Sequence, residues 1–186
     1  MEIEIRYIDE QTVKDLFPTC DSCLYWEAPE MYGKDKTGRP QIPPDEAIEI
    51  KQRWFRKMEE KFGNCGQILY VDGKAVGYVQ YAPHRFLPNV AEFSRELFAP
   101  SPDGVLVSCI HIREGYQGQG LGGRLLQAAI GDLRSRGYQA VETYSRDDSA
   151  SNSSGPTVLY LEHAFRQISR KRRGEAAFSL MRLELS

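Results

Sequence analysis

A glycine-rich turn between a strand and a helix is the feature that most restricts how this chain can fold. The apolar run at residues 105–112 predicts a strand, and residues 121–136 predict a helix with one apolar stripe. The turn at 117–122 reads Gln-Gly-Gln-Gly-Leu-Gly. The first N–H groups of a helix have no partner within it and carry partial positive charge, and glycines let an anion approach them closely. The sequence therefore predicts a phosphate-binding site made of backbone.

Two other phosphate-binding motifs fit only in part. A P-loop needs Lys and then Ser or Thr after its last glycine, whereas Gly122 is followed by Gly123 and Arg124. A dinucleotide-binding fold needs an acidic residue about 20 positions on, roughly where Glu142 stands. It also needs a run of βα units, and none follows this turn. A nucleotide-dependent oxidoreductase is thus the weakest of the readings kept open.

Residues 110–126 resemble the acyl-CoA signature of the GNAT superfamily of N-acetyltransferases. That signature is a strand, then Gln/Arg-Gly-x-Gly-x-Gly/Ala, then a helix, and it is matched by Gln117, Gly118, Gly120 and Gly122. Residues 155–165 are similar to the family's later helix with its Tyr, here Tyr160, and residues 180–185 to its last strand. Ala164 replaces the usual Gly before the Phe. Ser153, with Asn152 beside it, stands where the family often has Asn.

The resemblance implies an α+β fold with a mixed, mostly antiparallel central sheet flanked by helices, in which two strands splay around the acyl-CoA site. It implies one domain over residues 1–186, with a variable N-terminal part at 1–64 and the acyl-CoA-binding core at 65–186. The implied cofactor is acetyl-CoA, and the implied activity is direct transfer of its acetyl group to a primary amine. A catalytically silent acyl-CoA-binding or sensing module on the same fold is the alternative.

By the same resemblance, backbone at Ile110 and Ile112 would pair with the pantetheine arm, and the N–H groups of residues 118–122 would bind pyrophosphate. Arg113 or Arg124 would face the 3′-phosphate. The complete expected cofactor set is Ile110, His111, Ile112, Gln117, Gly118, Gln119, Gly120, Leu121, Gly122, Asn152, Ser153 and Tyr160.

Acyl transfer to an amine needs a neutral amine, a polarised carbonyl and a proton for the leaving sulfur. An alkyl amine has a pKa near ~10.4, so a base or proton relay is useful near neutral pH. Glu142 and His111 are the predicted base candidates, with His84 or water as alternatives. An N–H group near Ile110 could polarise the carbonyl. The resemblance assigns Tyr160 as the general acid.

The two long segments at 20–44 and 83–104, rich in proline and aromatic residues, are expected to form the walls of the acceptor site. Aromatic and acidic residues there could hold a cationic amine, or they could simply anchor the loops. These residues are Tyr25, Trp26, Tyr32, Phe86, Phe93, Glu27, Glu30 and Glu92.

Charge and composition exclude several classes of partner. A net charge of −2 and a pI of about 6.0 give no reason to expect nucleic-acid binding. No apolar stretch reaches the ~20 residues of a membrane span, and no leader-like segment opens the sequence, so we expect a cytoplasmic protein. Cys20 and Cys23 lack a complete set of zinc ligands, so we expect reduced thiols and no metal. A homodimer is compatible with the resemblance.

Overall fold

The computed structural model describes residues 1–33, 38–147 and 153–185. Within them, seven strands form one sheet: β1 (Ile3–Tyr7), β2 (Gly66–Val71), β3 (Lys74–Pro83), β4 (Gly104–Ile112), β5 (Ala140–Arg146), β6 (Arg166–Arg173) and β7 (Ala176–Glu184). The helices are α1 (Pro44–Lys61), α2 (Val90–Glu96), α3 (Leu121–Ser135) and α4 (Thr157–Leu161), with short 3₁₀ turns at Thr12–Asp15, Pro29–Met31 and His84–Phe86.

The strand order β1-β2-β3-β4-β5-β7-β6 makes a mostly antiparallel sheet, as predicted. Its one parallel pair, among the described strands, is β4 with β5. These two strands pair only from Gly104 to Leu106 against Ala140 to Glu142. Beyond that point they diverge, so the carboxyl-terminal half of β4 faces a gap in the sheet. This gap is the predicted splay.

Two local features follow directly from the residues that form them. Asp72 and Gly73 have φ angles of 48° and 77°, the positive pair that a tight hairpin between β2 and β3 requires. Along α3 the predicted stripe is buried and packs on β2, β3 and β4. The stripe consists of Leu121, Leu125, Leu126, Ala129, Ile130 and Leu133. Because α3 is fixed to the sheet in this way, its N-terminus is held beside the open end of β4.

The segment at 83–104 differs from the prediction of a loop without regular structure. It contains α2, whose Val90 and Phe93 are buried in a small core with Trp26 and Tyr144. Phe93 lies 4.9 Å from each of these two rings, measured between centroids. The apolar pattern of α2 is hard to recognise in the sequence, because the helix is short and has prolines on both sides. Packing on a distant part of the chain therefore stabilises this helix.

None of the helices in the described residues has the length and apolar content to cross a bilayer.

Candidate active site

A cleft of about 190 Å³ opens between the end of β4 and the start of α3. Gly118 and Gly120 both have φ of 73°, the left-handed conformation that favours glycine. A Cβ built on either would meet nothing within 4 Å, so open space lies in front of this backbone. The cleft is lined by Ile110, Ile112, Tyr116, Gln117, Gly118, Gly120, Leu121, Gly122, Gly155, Pro156 and Leu159. An open cradle of glycine backbone at a helix N-terminus fits a pyrophosphate.

The two glutamines of the turn have different positions. The Gln117 side-chain amide donates to the Ile112 carbonyl at 2.9 Å and so joins the turn to the strand. The Gln119 amide folds back onto the Gly115 carbonyl at 3.3 Å, and Gln119 is not among the cleft residues. Tyr116 and Leu159 line the cleft although the sequence did not single them out. Only their positions in the sequence could have indicated them: Tyr116 directly precedes the turn, and Leu159 lies on the later helix, α4.

The segment 153–155 lies along the gap between β4 and β5. The Ile110 N–H, predicted to polarise an acyl carbonyl, donates to the Ser153 carbonyl at 2.8 Å. The Arg146 N–H donates to the Gly155 carbonyl at 3.2 Å. Gly155 has φ of 79°, and a Cβ there would lie 2.9 Å from the Ile110 side chain. The segment thus connects both diverging strands, and Asn152 lies outside the described residues.

Tyr160 lies in the main core beside this segment and lines neither cavity. Its hydroxyl donates to the Ser154 carbonyl at 2.6 Å, and its ring packs edge-on against Phe165 at 5.1 Å between centroids. Burial raises the pKa of Tyr160 above its usual range. The phenol therefore keeps its proton near neutral pH, as an acid must.

His111 does not line the cleft, contrary to its place in the expected cofactor set. Successive strand residues face opposite sides of a sheet, so Ile110 and Ile112 face the cleft and Cys109 and His111 face the other side. The half-buried His111 ring lies 5.7 Å from the Phe17 ring, between centroids. Burial lowers the pKa of His111, so its imidazole is neutral near pH 7.

Glu142, the other predicted base, lines neither cavity. It sits where β4 and β5 are still paired, opposite Leu106, and is only 1% exposed. Its carboxylate accepts the Ser101 N–H at 2.8 Å, the Ser101 hydroxyl at 2.9 Å and an Arg182 N–H at 3.0 Å. A buried carboxylate needs polar partners, and Glu142 finds them in Ser101 and Arg182. Its ion pair with Arg182 is therefore structural.

A second cavity of about 200 Å³ lies on the His111 side of β4. It is lined by Thr19, Cys20, Cys23, Trp26, Glu27, Lys51, Tyr78, Cys109, His111 and Ser153. Burial raises the pKa of Cys20 to about 12 and that of Cys109 well above its usual value, so both thiols keep their protons. In the part of the chain that is described, no three His, Cys, Asp or Glu side chains are grouped to hold a metal ion.

Only some of the predicted wall residues reach this cavity. Trp26 and Glu27 line it, but Glu92 pairs with Arg173 and Phe93 belongs to the core around α2. Tyr32 accepts the Leu24 N–H at 3.0 Å. The aromatic residues of these segments therefore serve mostly as anchors.

The remaining candidates line neither cavity. His84 is in a short 3₁₀ turn, and neither His84 nor Arg124 is a lining residue. The Arg113 guanidinium lies over the Phe17 ring, 5.2 Å from its centroid.

Known proteins with this fold were found by sequence and by structure. The sequence model of the Acetyltransferase (GNAT) family matches residues 22–152. An N-acetyltransferase from Staphylococcus aureus Mu50 has 17% identity and a TM-score of 0.65, with all of both chains covered. PaiA N-acetyltransferase from Thermoplasma acidophilum, in complex with coenzyme A, has 12% identity and a TM-score of 0.60, with 99% of each chain covered.

YncA from Salmonella typhimurium, with its cofactor acetyl-CoA, has 16% identity and a TM-score of 0.65, covering 100% of this chain and 95% of its own. A search of curated protein sequences gives no match. The open cradle of glycines at the start of α3, beside two splayed strands, defines an α+β fold with an anion-binding site. Since the family model covers more than half of the sequence, this chain belongs to the GNAT acetyltransferase family.

Proposed function

We propose that this protein transfers the acetyl group of acetyl-CoA to a primary amine by direct attack. The observation that carries the proposal is the pair of cavities on opposite faces of the open end of β4. One has the glycine cradle of a phosphate site, and the other contains a neutral imidazole. When bound, acetyl-CoA supplies an activated acyl group as a thioester.

Two groups of cleft residues match two chemically different parts of the cofactor. The N–H groups of residues 118–122 hold the pyrophosphate, because the left-handed glycines leave them accessible. Ile110, Tyr116 and Leu159 give an apolar wall for the pantetheine arm. Ser153 must release the Ile110 N–H before that group can bind a carbonyl oxygen, since one N–H makes one strong hydrogen bond.

His111 and Tyr160 complete the proton transfers. The amine nitrogen forms a bond to the acetyl carbon, the carbon–sulfur bond breaks, and the sulfur leaves with its electron pair. His111 accepts the proton that the amine loses, because its lowered pKa keeps the imidazole neutral. Tyr160 gives its proton to the sulfur after its hydroxyl leaves the Ser154 carbonyl.

Calorimetry with acetyl-CoA, CoA and NAD, followed by an amine panel in which CoA release is measured, tests the proposal. We expect acetyl-CoA and CoA to bind and NAD not to bind. At least one primary amine should then release CoA faster than water does. Binding of NAD alone would refute the cofactor assignment.

A catalytically silent acyl-CoA-binding module is the second candidate. One observation favours it: the Ile110 N–H and the Tyr160 hydroxyl are both bonded to carbonyls of residues 153–154. In that case acetyl-CoA would bind with ordinary affinity, and no amine would accelerate CoA release. A homodimer and a cytoplasmic location stay predictions from the sequence.

A further inference from the structure

The second cavity has walls from parts of the chain that are far apart in sequence. The segment 19–27 forms one side, Lys51 comes from α1, Tyr78 from β3, and Cys109 and His111 from β4. At about 200 Å³ it has the volume of roughly six or seven waters in the liquid. It can therefore take a small molecule with about as many non-hydrogen atoms.

Glu27 and Lys51 form a buried ion pair at this cavity. Their side chains are 2% and 3% exposed. The ammonium of Lys51 bonds to Glu27 Oε1 and also donates to Gln80 Oε1 at 2.8 Å. Burial alone would lower the pKa of Lys51, but the Glu27 carboxylate and its neighbours raise it, so Lys51 stays cationic. The pair as a whole is neutral.

Two polar atoms of the lining residues have no hydrogen-bond partner among the residues that the structure describes. They are Glu27 Oε2 and Trp26 Nε1, both buried. Leaving a buried polar group unsatisfied costs about 1–3 kcal/mol, and more for a charged group, so such atoms need an explanation. One is an acceptor and the other a donor. A bound molecule that both donates and accepts would satisfy the two of them.

The other lining groups add no further charge. The thiols of Cys20 and Cys109 and the phenol of Tyr78 keep their protons because burial raises each pKa. The imidazole of His111 is neutral because burial lowers its pKa. A second buried cation beside Lys51 would have no additional anion to balance it, and such a charge is costly to bury.

We infer that this cavity binds the acceptor and that the acceptor is a small amino alcohol. The reacting amine lies at the His111 end, and the hydroxyl donates to Glu27 Oε2 and accepts from Trp26 Nε1. This inference rests on the proposed function and adds the substrate class. It also gives a role to the sequence around the two cysteines, since Cys20, Cys23, Trp26 and Glu27 share one wall.

Each functional group of the proposed acceptor is matched to a group in the cavity wall. A hydroxyl can donate and accept at once, and it carries no charge into a neutral buried pair. A methyl group in its place would leave both protein atoms unsatisfied. An ammonium in its place would satisfy Glu27 but not Trp26, and it would bring an unbalanced cation.

The test compares three amines with the same number of non-hydrogen atoms: 3-amino-1-propanol, n-butylamine and 1,3-diaminopropane. With saturating acetyl-CoA, we expect kcat/KM for 3-amino-1-propanol to exceed that for each of the other two by about 10-fold or more, because a site built for a hydroxyl rejects analogues that lack it. Without acetyl-CoA, 3-amino-1-propanol should raise the Tm of the protein more than n-butylamine does.

Two variants link the preference to the two atoms. Trp26→Phe removes the donor and keeps an aromatic ring beside Phe93, and it should lower the preference over n-butylamine by about 3- to 10-fold, the value of one hydrogen bond. The double variant Glu27→Leu/Lys51→Met removes both charges together, which buried pairs often tolerate, and should abolish the preference. Glu30→Gln, three residues beyond Glu27, exposed and outside the lining of both cavities, is the control and should keep the preference.

These preferences are ratios measured within one preparation, so partial unfolding of a variant does not change them. Turnover of all three amines with equal kcat/KM, and equal shifts of Tm, would overturn the amino alcohol assignment and leave acetyl transfer intact. If acetyl-CoA binds and no amine releases CoA, the proposed function fails and this inference fails with it. A preference that survives in the double variant would move the acceptor to another surface.

Discussion

At the residue scale, the proposed leaving step depends on the proton of the Tyr160 hydroxyl. Tyr160→Phe should lower kcat by about 10²–10⁴-fold and leave the Kd of acetyl-CoA nearly unchanged, because the hydroxyl acts only as charge develops on sulfur. The loss of its bond to the Ser154 carbonyl should cost about 1 kcal/mol of folding stability. Single-turnover kinetics and calorimetry measure the two effects separately.

Tyr144→Phe is the matched control for that variant. The Tyr144 hydroxyl also donates to a backbone carbonyl, that of Phe98, at 2.6 Å, and Tyr144 lines neither cavity. The Tyr144→Phe variant should lose about as much stability as Tyr160→Phe does, and it should keep the kcat of the parent. If Tyr160→Phe matches the parent rate across the pH range, Tyr160 has a packing role only.

The neutral imidazole of His111 predicts a pH dependence at the same scale. Burial lowers its pKa below the ordinary value near 6.5, so the proposed base is neutral above that pH and becomes protonated as the pH falls through the lowered value. Parent kcat/KM divided by that of His111→Gln should be flat above about pH 6.5, at about 10²-fold, and should decline toward one at lower pH.

Dividing the two rates removes the ionisation of the amine, which is common to both proteins. The buried thiols of Cys20 and Cys109 keep their protons throughout this window because their pKa values are raised. His84→Gln, outside both cavities, is the control and should give a ratio near one. A ratio for His111→Gln that does not change with pH would assign the base to water or another group.

Helix α3 is the element that connects the core to the proposed cofactor cradle, and its glycines permit a test of that connection. Gly122 lines the cleft without a positive φ, and a Cβ there would lie 3.8 Å from its nearest neighbour, Ile112 Cγ1. Because the family signature also accepts Ala here, the test uses a larger side chain: Gly122→Leu should fold normally and raise the Kd of acetyl-CoA by about 10-fold or more, since its side chain enters the cleft. Calorimetry measures the Kd.

Gly131→Leu provides the same substitution on the exposed side of α3, where a Cβ meets nothing within 4 Å. It should gain about 0.5–1 kcal/mol of stability and keep its affinity. Gly120 is less suitable for this test because its φ of 73° would strain any side chain by about 1–2 kcal/mol. Equal affinity in the Gly122 and Gly131 variants would place the phosphates elsewhere.

At the scale of the whole molecule, Glu142 links several elements at the end of the sheet where β4 and β5 are still paired. It joins Ser101, which precedes β4, to Arg182 on β7. Glu142→Gln should reduce the free energy of unfolding by about 1.5–3 kcal/mol, since it removes a charge-assisted bond in a buried place. Urea denaturation measures that loss, and kcat per folded molecule should be unchanged.

Glu184→Gln is the comparison variant, because Glu184 accepts from the same Arg182 at 2.7 Å but is exposed. An exposed ion pair contributes little, so its stability should stay close to that of the parent. A large fall in kcat for Glu142→Gln with parent-like stability would restore Glu142 as the catalytic base.

The sequence by itself determined the elements whose cause is local. The hairpin at Asp72-Gly73 depends on two positive φ angles, and the start of α3 depends on glycines that leave backbone N–H groups open. The apolar stripe of α3 fixes which face of that helix is buried. These features were readable because a few adjacent residues contain their whole physical cause.

Only the tertiary structure decided which side chains meet. Helix α2 forms because Phe93 packs on Trp26 and Tyr144, far away in the chain. Side chains alternate along β4, so His111 and Ile110 lie on opposite faces, and the pairing of β5 with β7 brings Glu142 next to Arg182 in an ion pair. At the second cavity, Glu27 and Lys51 come from separate elements of the chain. The sequence could not show this ion pair, because two buried charges stabilise each other only after folding has brought them together.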